Sequence, residues 1–356
     1  MWRGTGKVKI SCGSPCFSYT LKIKKMRKDP IKEEEFYNKD YDFSYSSINK
    51  LLFSPKLFYI DYILKERELK TDKHLIEGKL LHLMLLQPEK LHEEFSIVPN
   101  KIPSDNLRRV LYQVKETAHL NVVPDLEDHE PEIITALKHQ NLYQSFKDDS
   151  KRLAKILTDD NKEYFKFLLE SKGKNIIDND MLAKATERVE ILKANKNVMS
   201  LMEHTVTDFE MDPVEVHNEK YLKCDLINYK FGLQGYIDRY IIDHDSKEIT
   251  IVDLKTTAKG LEKFAETVDY YRYWMQAVVY SILVIKNSED KVQDYKINFK
   301  FAVIDNYDQV YVFDVSDETM KEWNHAFVEI LNIADYHYTE RDYNLPYEFA
   351  KDNVTL

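Results

Sequence analysis

Residues 231–255 read Phe-Gly-Leu-Gln-Gly-Tyr-Ile-Asp-Arg-Tyr-Ile-Ile-Asp-His-Asp-Ser-Lys-Glu-Ile-Thr-Ile-Val-Asp-Leu-Lys. Two apolar, β-branched runs flank a polar stretch from Asp243 to Lys247, and this pattern predicts a β-hairpin. The turn is expected to centre on Asp245 and Ser246, which fixes the residues that face each other across the two strands.

That register has a chemical consequence for the acidic residues of the hairpin. Asp238 falls opposite Asp253, and directly opposed strand residues have Cβ atoms about 4.5–5.5 Å apart. Lys255 lies two positions beyond Asp253 and therefore shares its face of the strand. Because like charges that face each other destabilise a sheet unless a cation lies between them, the hairpin indicates a divalent-cation site.

The alternative interpretation is a solvated strand face, on which the tripeptide Asp-x-Lys is common. Apolar neighbours favour the buried interpretation, because buried acids and lysines are rare unless they are paired or bound to a metal. Carboxylate oxygens suit Mg²⁺, which also takes phosphate oxygens. Lys255 would then orient an attacking water or stabilise charge that develops on a phosphoryl group. The neighbours are Ile249, Ile251, Val252 and Leu254.

Composition limits the class of protein. The chain has 356 residues, of which 43% are hydrophobic and 31% charged, as in soluble globular proteins. No apolar run approaches the roughly 18 residues needed to cross a bilayer, and the basic N-terminal region lacks the apolar core of a signal peptide. The formal net charge of -10 argues against a broad DNA-coating surface, although a narrow cation-lined channel stays open as an alternative.

Cysteine content points to the compartment and to the kind of metal site. Three cysteines form no even disulfide framework, which favours a reducing, cytoplasmic environment. Three cysteines also cannot supply the four ligands of a zinc or iron–sulfur centre. We therefore expect no iron–sulfur cluster.

Periodicity divides the chain into segments. We expect a poorly ordered extension over residues 1–41, a globular domain over 42–340 and a C-terminal tail over 341–356. Within the domain, helical periodicity and high charge density over about 100–205 predict a helical insertion, and about 206–315 should form the sheet core. This order predicts an α/β fold in which helices flank a mixed central sheet.

Several individual elements follow from local signals. A helix over 48–64 is expected to be capped by Ser46 and kinked at Pro55. The other predicted elements are helices over 73–87 and 269–285, a strand pair over 296–305 and 309–315, and a final helix from 316 to about 336.

Other polar residues are weaker candidates for a site. Gly78 lies four residues before His82 on the same helical face, which would leave room for a close backbone approach or a metal. Taken alone, His82 is more simply a core histidine. Gln276 and Tyr280 share a helix face, either as part of a core stripe or to contact substrate or hold the lysine. Glu215 is either a further acid near the metals or a residue on a solvated strand face, and the second is the simpler interpretation.

The order of these motifs resembles the PD-(D/E)XK nuclease superfamily, and within it the H…D…(D/E)xK…QxxxY series of phage RecE/exonuclease VIII-type exonucleases. Residues 46–58, 77–99 and 177–198 are similar to family segments, so the resemblance covers about residues 42–335. The departures are mild, since Ile237 replaces the proline and Asp253 stands where Glu is frequent. The residues that carry the resemblance are Gly78, His82, Asp238, Asp253, Leu254, Lys255, Gln276 and Tyr280.

The resemblance implies a role for each matched residue. Asp238, Asp253 and Lys255 would be catalytic, and Gln276 and Tyr280 would support them from a helix. The implied cofactor is Mg²⁺ or Mn²⁺. Its ligands would be His82, Asp238, Asp253 and the backbone carbonyl of Leu254.

The resemblance also implies a metal-dependent deoxyribonuclease, an exonuclease that resects DNA ends in phage recombination or DNA metabolism. The implied partners are duplex DNA ends, a single-strand annealing protein and further copies of the chain in a ring. No membrane is involved, and a phage-encoded protein of this kind would act in the bacterial host cytoplasm.

Three alternatives stay open at this point. A structure-specific endonuclease would use the same site. A catalytically silent DNA-binding or host-interaction protein would keep the fold without binding metal. An acidic helical scaffold would carry Asp253, Leu254 and Lys255 as surface charge, and burial of the hairpin would exclude it.

Overall fold

A computed structural model describes residues 30–39, 41–66, 72–117, 125–203, 213–288 and 294–351, together with residues 292 and 354. The described strands are β1 (Tyr41–Phe43), β2 (Phe95–Ile97), β3 (Asn175–Ile177), β4 (Val214–Asp225), β5 (Phe231–Asp243), β6 (Glu248–Thr256), β7 (Lys296–Ile304) and β8 (Val310–Val315).

Helices precede, interrupt and follow these strands. The described helices are α1 (Pro30–Asn38), α2 (Tyr45–Phe53), α3 (Pro55–Phe58), α4 (Lys73–Leu86), α5 (Leu91–Glu94), α6 (Asp105–Thr117), α7 (Glu130–His139), α8 (Asp149–Ile156), α9 (Asp159–Glu170), α10 (Asn179–Ala194), α11 (Lys196–Met202), α12 (Phe264–Tyr271), α13 (Tyr273–Asn287), α14 (Asp317–Glu340) and α15 (Tyr347–Ala350). None of them combines the length and apolar character needed to cross a bilayer.

The central sheet is mixed and has six strands within the described residues. Strands pair in the order β1-β5-β6-β7-β8, and β4 also pairs with β5. The pairs β1–β5 and β6–β7 are parallel, whereas β4–β5, β5–β6 and β7–β8 are antiparallel. A small parallel pair, β2–β3, lies outside this sheet. The predicted mixed α/β sheet flanked by helices is therefore confirmed.

Along one edge, strand β5 pairs with two different strands, β1 at its start and β6 at its end. The residues of β5 between these two stretches pair with neither strand, which leaves a gap in the sheet. Its first residues, Phe231 to Leu233, pair with β1, whereas its last residues, Arg239 to Asp243, pair with β6. Strand β4 covers the opposite edge along almost the full length. Gly232 is needed where the three strands meet, because a Cβ atom there would clash with the Asp42 side chain and the Cys224 carbonyl.

Helices cover the sheet on both faces. The larger core packs α2, α13 and α14 against one face, through buried residues such as Ile251, Val279 and Phe327. A second core packs α4, α10 and α11 against the other face, where Leu81 and Leu192 contact the hydrophobic side chains of β6 and β7. Since Asp253 and its neighbours lie on β6 between these layers, they cannot be a solvated surface strand.

The helices between residues 105 and 170 have a hydrophobic core of their own, built from α6, α7, α8 and α9. This group corresponds to the central part of the predicted helical insertion, while α10 and α11 pack on the sheet instead. Of the extension expected over 1–41, residues 1–29 lie outside the described residues. Residues 30–38 form α1, and Phe36 is buried in the main core.

Two local predictions are wrong in detail. The N-cap of α2 is Ser44 and not Ser46, because Ser44 accepts the backbone N–H of Ser47. The helix predicted over 269–285 is two helices, α12 and α13, which are broken at Arg272 by a left-handed backbone with φ of 56°.

Candidate active site

The hairpin register places Asp238 at the gap in β5. The ladder to β6 has the register that the sequence predicts, and it ends at the pair Arg239–Val252. Asp238 and Asp253 therefore occupy the next opposed position. At this position a side chain takes the place of the β5 backbone as hydrogen-bond partner: the Asp238 Oδ2 accepts the backbone N–H of Leu254 at 2.8 Å. In an extended strand, the N–H and C=O of one residue point to the same side. The Leu254 carbonyl therefore also points toward the gap.

Asp253 lies at the bottom of the site and is 0% exposed. Its Oδ2 contacts the Lys255 ammonium group at 2.5 Å, and its Oδ1 accepts a hydrogen bond from Gln276 Nε2 at 3.1 Å. The same amide nitrogen lies 2.7 Å from the Tyr280 hydroxyl. Helix α13 thus fixes the orientation of the buried carboxylate, and the carboxylate in turn holds the lysine.

Two glycines lie where a helix packs against a strand of the central sheet. A Cβ atom on Gly235 of β5 would lie 3.3 Å from the Tyr280 ring, so the absence of a side chain lets α13 lie against the strand. A Cβ atom on Gly78 would lie 3.7 Å from Thr256 Oγ1, which is an ordinary contact distance. Of the two expectations for Gly78, this distance gives no sign of a close backbone approach, and room for a metal stays a prediction.

Helix α4 brings His82 to the opposite side of Asp238. Buried leucines on both sides of the helix fix α4 between the sheet and β2–β3. His82 Nδ1 then lies 3.3 Å from Asp238 Oδ2 and 3.8 Å from Glu219 Oε1. One ligand atom from each of His82, Glu219 and Asp238 lies within 4.8 Å of the other two.

This donor set fits a divalent cation. Carboxylate oxygens suit Mg²⁺ and Mn²⁺, and an imidazole nitrogen is a common further ligand for transition metals. These three donors lie on three different elements (α4, β4 and β5), and their ligand atoms converge on one place. Mutual repulsion of Glu219 and Asp238 disfavours this convergence unless a positive charge lies beside them, either on a protonated His82 or on a bound cation.

Electrostatics at the site follow from burial and from the mixture of charges. Burial raises the pKa of Asp253 to about 6, although the Lys255 ammonium group opposes this increase. Burial lowers the pKa of Lys255, but Asp253 and Asp238 outweigh it, so the lysine pKa lies above its usual value. Burial also lowers the pKa of His82, and Asp238 together with Glu219 raises it above its usual value. Lysine and histidine therefore both favour their charged forms beside these acids.

The structure brings together the six predicted side chains of the site, which come from two helices (α4 and α13) and two strands (β5 and β6). Gln276 contacts the Asp253 carboxylate, whereas contact with the lysine was one of the sequence-based alternatives. Glu215 lies elsewhere, since it contacts His244 at 2.8 Å. The six residues are His82, Asp238, Asp253, Lys255, Gln276 and Tyr280.

Sequence reasoning missed Glu219 and Tyr273. Glu219 has a left-handed backbone with φ of 47°, and nothing in the alternating pattern of β4 marks it as different from its neighbours. The Tyr273 ring lies 4.7 Å from Lys255 Nζ and forms a cation–π contact. The sequence did contain a signal for Tyr273 as a site residue: it lies three positions before Gln276, so both residues lie on one face of α13.

A comparison with protein families agrees with this geometry. A sequence profile described as "PD-(D/E)XK nuclease superfamily" matches residues 42–335. Curated proteins give no match. Among solved structures, the chain is similar to a "putative exonuclease" from Eubacterium rectale, with 13% identity, a TM-score of 0.45, and coverage of 93% of this chain and 94% of the other.

Proposed function

This chain belongs to the PD-(D/E)XK nuclease superfamily, whose members cut phosphodiester bonds with the help of divalent metals, and on that premise we propose that it is a DNA exonuclease. Its substrate would be a DNA end, and its cofactor Mg²⁺ or Mn²⁺. The finer assignment is to the RecE/exonuclease VIII type, which resects ends in recombination or DNA metabolism of a phage, in the cytoplasm of the bacterial host.

One observation carries the proposal. Asp253 is wholly buried, and its carboxylate is paired with the Lys255 ammonium group and the Gln276 amide. A second acid, Asp238, lies directly beside it at a gap in the sheet. A structural ion pair would not need a neighbouring carboxylate and histidine on the open side.

His82, Glu219, Asp238 and Asp253, with the Leu254 carbonyl, would hold the metal. When bound, a divalent cation lowers the pKa of water and neutralises charge on the phosphate. Lys255 would orient the attacking water and stabilise the negative charge that builds on the phosphoryl oxygens. The water oxygen forms the new P–O bond as the bond to the leaving sugar oxygen breaks. The water gives up one proton and the leaving oxygen takes up one, so no proton is gained or lost overall.

Gln276 and Tyr280 would act as positioning residues. The Gln276 amide keeps the Asp253 carboxylate in one orientation, and the Tyr280 hydroxyl restrains the amide. Because burial raises the pKa of Tyr280 well above its usual value, the phenol stays neutral and remains able to share a hydrogen bond with the amide. A ring of copies and an annealing protein as partner are further proposals from the family resemblance.

The test uses two DNA substrates and three variants. End-labelled linear duplex and a closed circle of the same sequence are incubated with Mg²⁺, Mn²⁺ or EDTA. We expect the linear DNA to be degraded only with metal, and D253N and K255Q to reduce the rate at least about 100-fold. The control is K300Q, since Lys300 is also paired with an aspartate, Asp314, in the same sheet.

Undiminished cleavage by both D253N and K255Q would refute the assignment. Cleavage of the closed circle would favour the structure-specific endonuclease instead. If the wild-type protein cleaves neither DNA and shows no heat of Mn²⁺ binding in calorimetry, the catalytically silent alternative would hold.

A further inference from the structure

Two adjacent tyrosines at the end of α12 leave much of their surface in solvent. Tyr270 is 74% exposed and Tyr271 is 48% exposed. Their ring centroids are 4.9 Å apart, and the ring planes are perpendicular. Exposed aromatic surface that is contiguous, and not scattered singly, marks an interaction site.

The pair is connected to the candidate active site through further ring contacts. The Tyr271 ring stacks on Tyr273, with centroids 5.5 Å apart and an interplanar angle of 24°. Tyr273 in turn lies 4.7 Å from the Lys255 ammonium group. An unbroken series of aromatic rings therefore leads from the candidate catalytic lysine to the exposed Tyr270.

Contacts to the backbone hold this aromatic series in place. The Tyr271 carbonyl accepts hydrogen bonds from the Tyr45 hydroxyl at 2.5 Å and from Asn49 Nδ2 at 3.3 Å. Arg272, in its left-handed conformation, donates to Asn49 Oδ1 at 2.8 Å. These bonds use the backbone of Tyr271 and not its ring, so they pre-organise the rings. One face of Tyr271 stacks on Tyr273, and the exposed ring surface, most of it on Tyr270, remains available to a ligand.

Charge near the pair points to the kind of ligand. Lys259 Nζ lies 6.0 Å from the Tyr270 ring centroid, but it also lies 4.0 Å from Glu266. Such a partly neutralised lysine is a weak phosphate ligand. The tyrosine faces, in contrast, match the flat π-surface that every nucleobase presents, and stacking on aromatic side chains is how proteins bind single strands without sequence preference.

We propose that Tyr270 and Tyr271 form a stacking platform for an unpaired base of the DNA strand that is held in the active site. This inference rests on the proposed nuclease function and adds a substrate class to it, namely ends with a single-stranded or frayed terminus. Inside a duplex, neighbouring bases cover both faces of a base, and a terminal base pair offers only its outer face. An unpaired base can turn either face to the platform, so an overhang should bind better than a blunt end.

The test measures binding in EDTA, so that no cleavage occurs. Duplexes with a short overhang carry 2-aminopurine at the unpaired end, because stacking on an aromatic ring quenches its fluorescence. We expect the Y270A/Y271A double variant to lose the quenching and to bind the overhang about 10-fold more weakly. Y270F/Y271F should retain both properties, and blunt-duplex affinity should change less than twofold.

The matched control is Y307A, since Tyr307 is 73% exposed on the turn between β7 and β8. It should leave quenching and affinity unchanged. Equal quenching in wild type and in Y270A/Y271A would overturn the platform, and so would an equal loss of affinity for blunt and overhanging ends. If either of these two outcomes occurs while wild-type protein still degrades linear DNA, the nuclease function stands and only the platform fails. A wild type that neither binds nor degrades DNA would overturn both proposals.

Discussion

Glu219 owes its place in the candidate site to its backbone conformation. It lies on β4 between the pairs Asn218–Arg239 and Lys220–Ile237, which puts it opposite Asp238. Its φ of 47° is uncommon for a residue other than glycine, and such strain costs on the order of 1–3 kcal/mol. Strained residues often occur at functional sites, where they direct a side chain to a ligand.

This geometry predicts that Glu219 contributes to metal affinity. E219Q keeps the size of the side chain and removes its charge, so Mn²⁺ affinity should fall about 10-fold, as is typical when a group that supports a metal site is altered. Isothermal titration calorimetry measures the effect. The control is E215Q on the same strand, because Glu215 contacts His244 and not the site. Equal Mn²⁺ affinity of E219Q and wild type would exclude Glu219 as a ligand.

Among the elements, α2 matters because it holds the end of α12, where the two exposed tyrosines lie. It begins with a capping box in which Ser44 accepts the Ser47 N–H and Ser47 Oγ accepts the Ser44 N–H. Further along the helix, Asn49 contacts the carbonyl of Tyr271. Stability of the start of α2 is thus linked to the position of the aromatic platform.

The capping box gives a prediction on stability. S44A should lower the free energy of unfolding by about 1 kcal/mol, since the backbone N–H of Ser47 loses its side-chain acceptor. S46A, at the position predicted from sequence to be the cap, should change it by less than about 0.5 kcal/mol because Ser46 is exposed. Urea denaturation of both variants measures the difference. An equal cost for the two substitutions would contradict the role of Ser44.

The break between α12 and α13 shows why one element was not predictable. A left-handed residue at a helix end is usually glycine or asparagine, but here it is Arg272. Its hydrogen bond to Asn49, a residue more than two hundred positions away in the chain, supports the unfavourable conformation. Local sequence therefore indicated one continuous helix, and a tertiary contact divides it.

For the whole molecule, His337 of α14 links stability to pH. It is 1% exposed, and burial lowers its pKa, although the Asp342 carbonyl opposes this decrease. The native protein therefore resists protonation that the unfolded chain accepts below a pKa of about 6.5. As the pH falls through that value, the unfolded state binds more protons, and the free energy of unfolding decreases.

This linkage predicts a steeper acid dependence in wild type than in H337Q. Below about pH 6.5, the contribution of one histidine is at most about 1.4 kcal/mol per pH unit. H337Q removes the titration and keeps a hydrogen-bond donor for the Asp342 carbonyl. Urea denaturation between pH 5 and pH 7.5 gives the slopes of both proteins. Identical slopes would show that another group is responsible.

The sequence by itself determined the hairpin, its register and the set of acids and lysine that it carries. Alternation of β-branched residues with a polar turn fixes those features locally, because a slip of one residue would exchange the two faces of each strand. The motif order also led to His82, Gln276 and Tyr280 as members of one site, through a family resemblance and not through local physics.

Only the tertiary structure decided how these groups meet. The sharing of β5 between β1 and β6 opens the gap at Asp238, and long-range packing puts α4 and α13 on opposite faces of the sheet. Glu219, Tyr273 and the break at Arg272 depend on contacts between residues far apart in sequence. Such contacts become favourable only when distant elements pack together, so no window of the chain contains the information that specifies them.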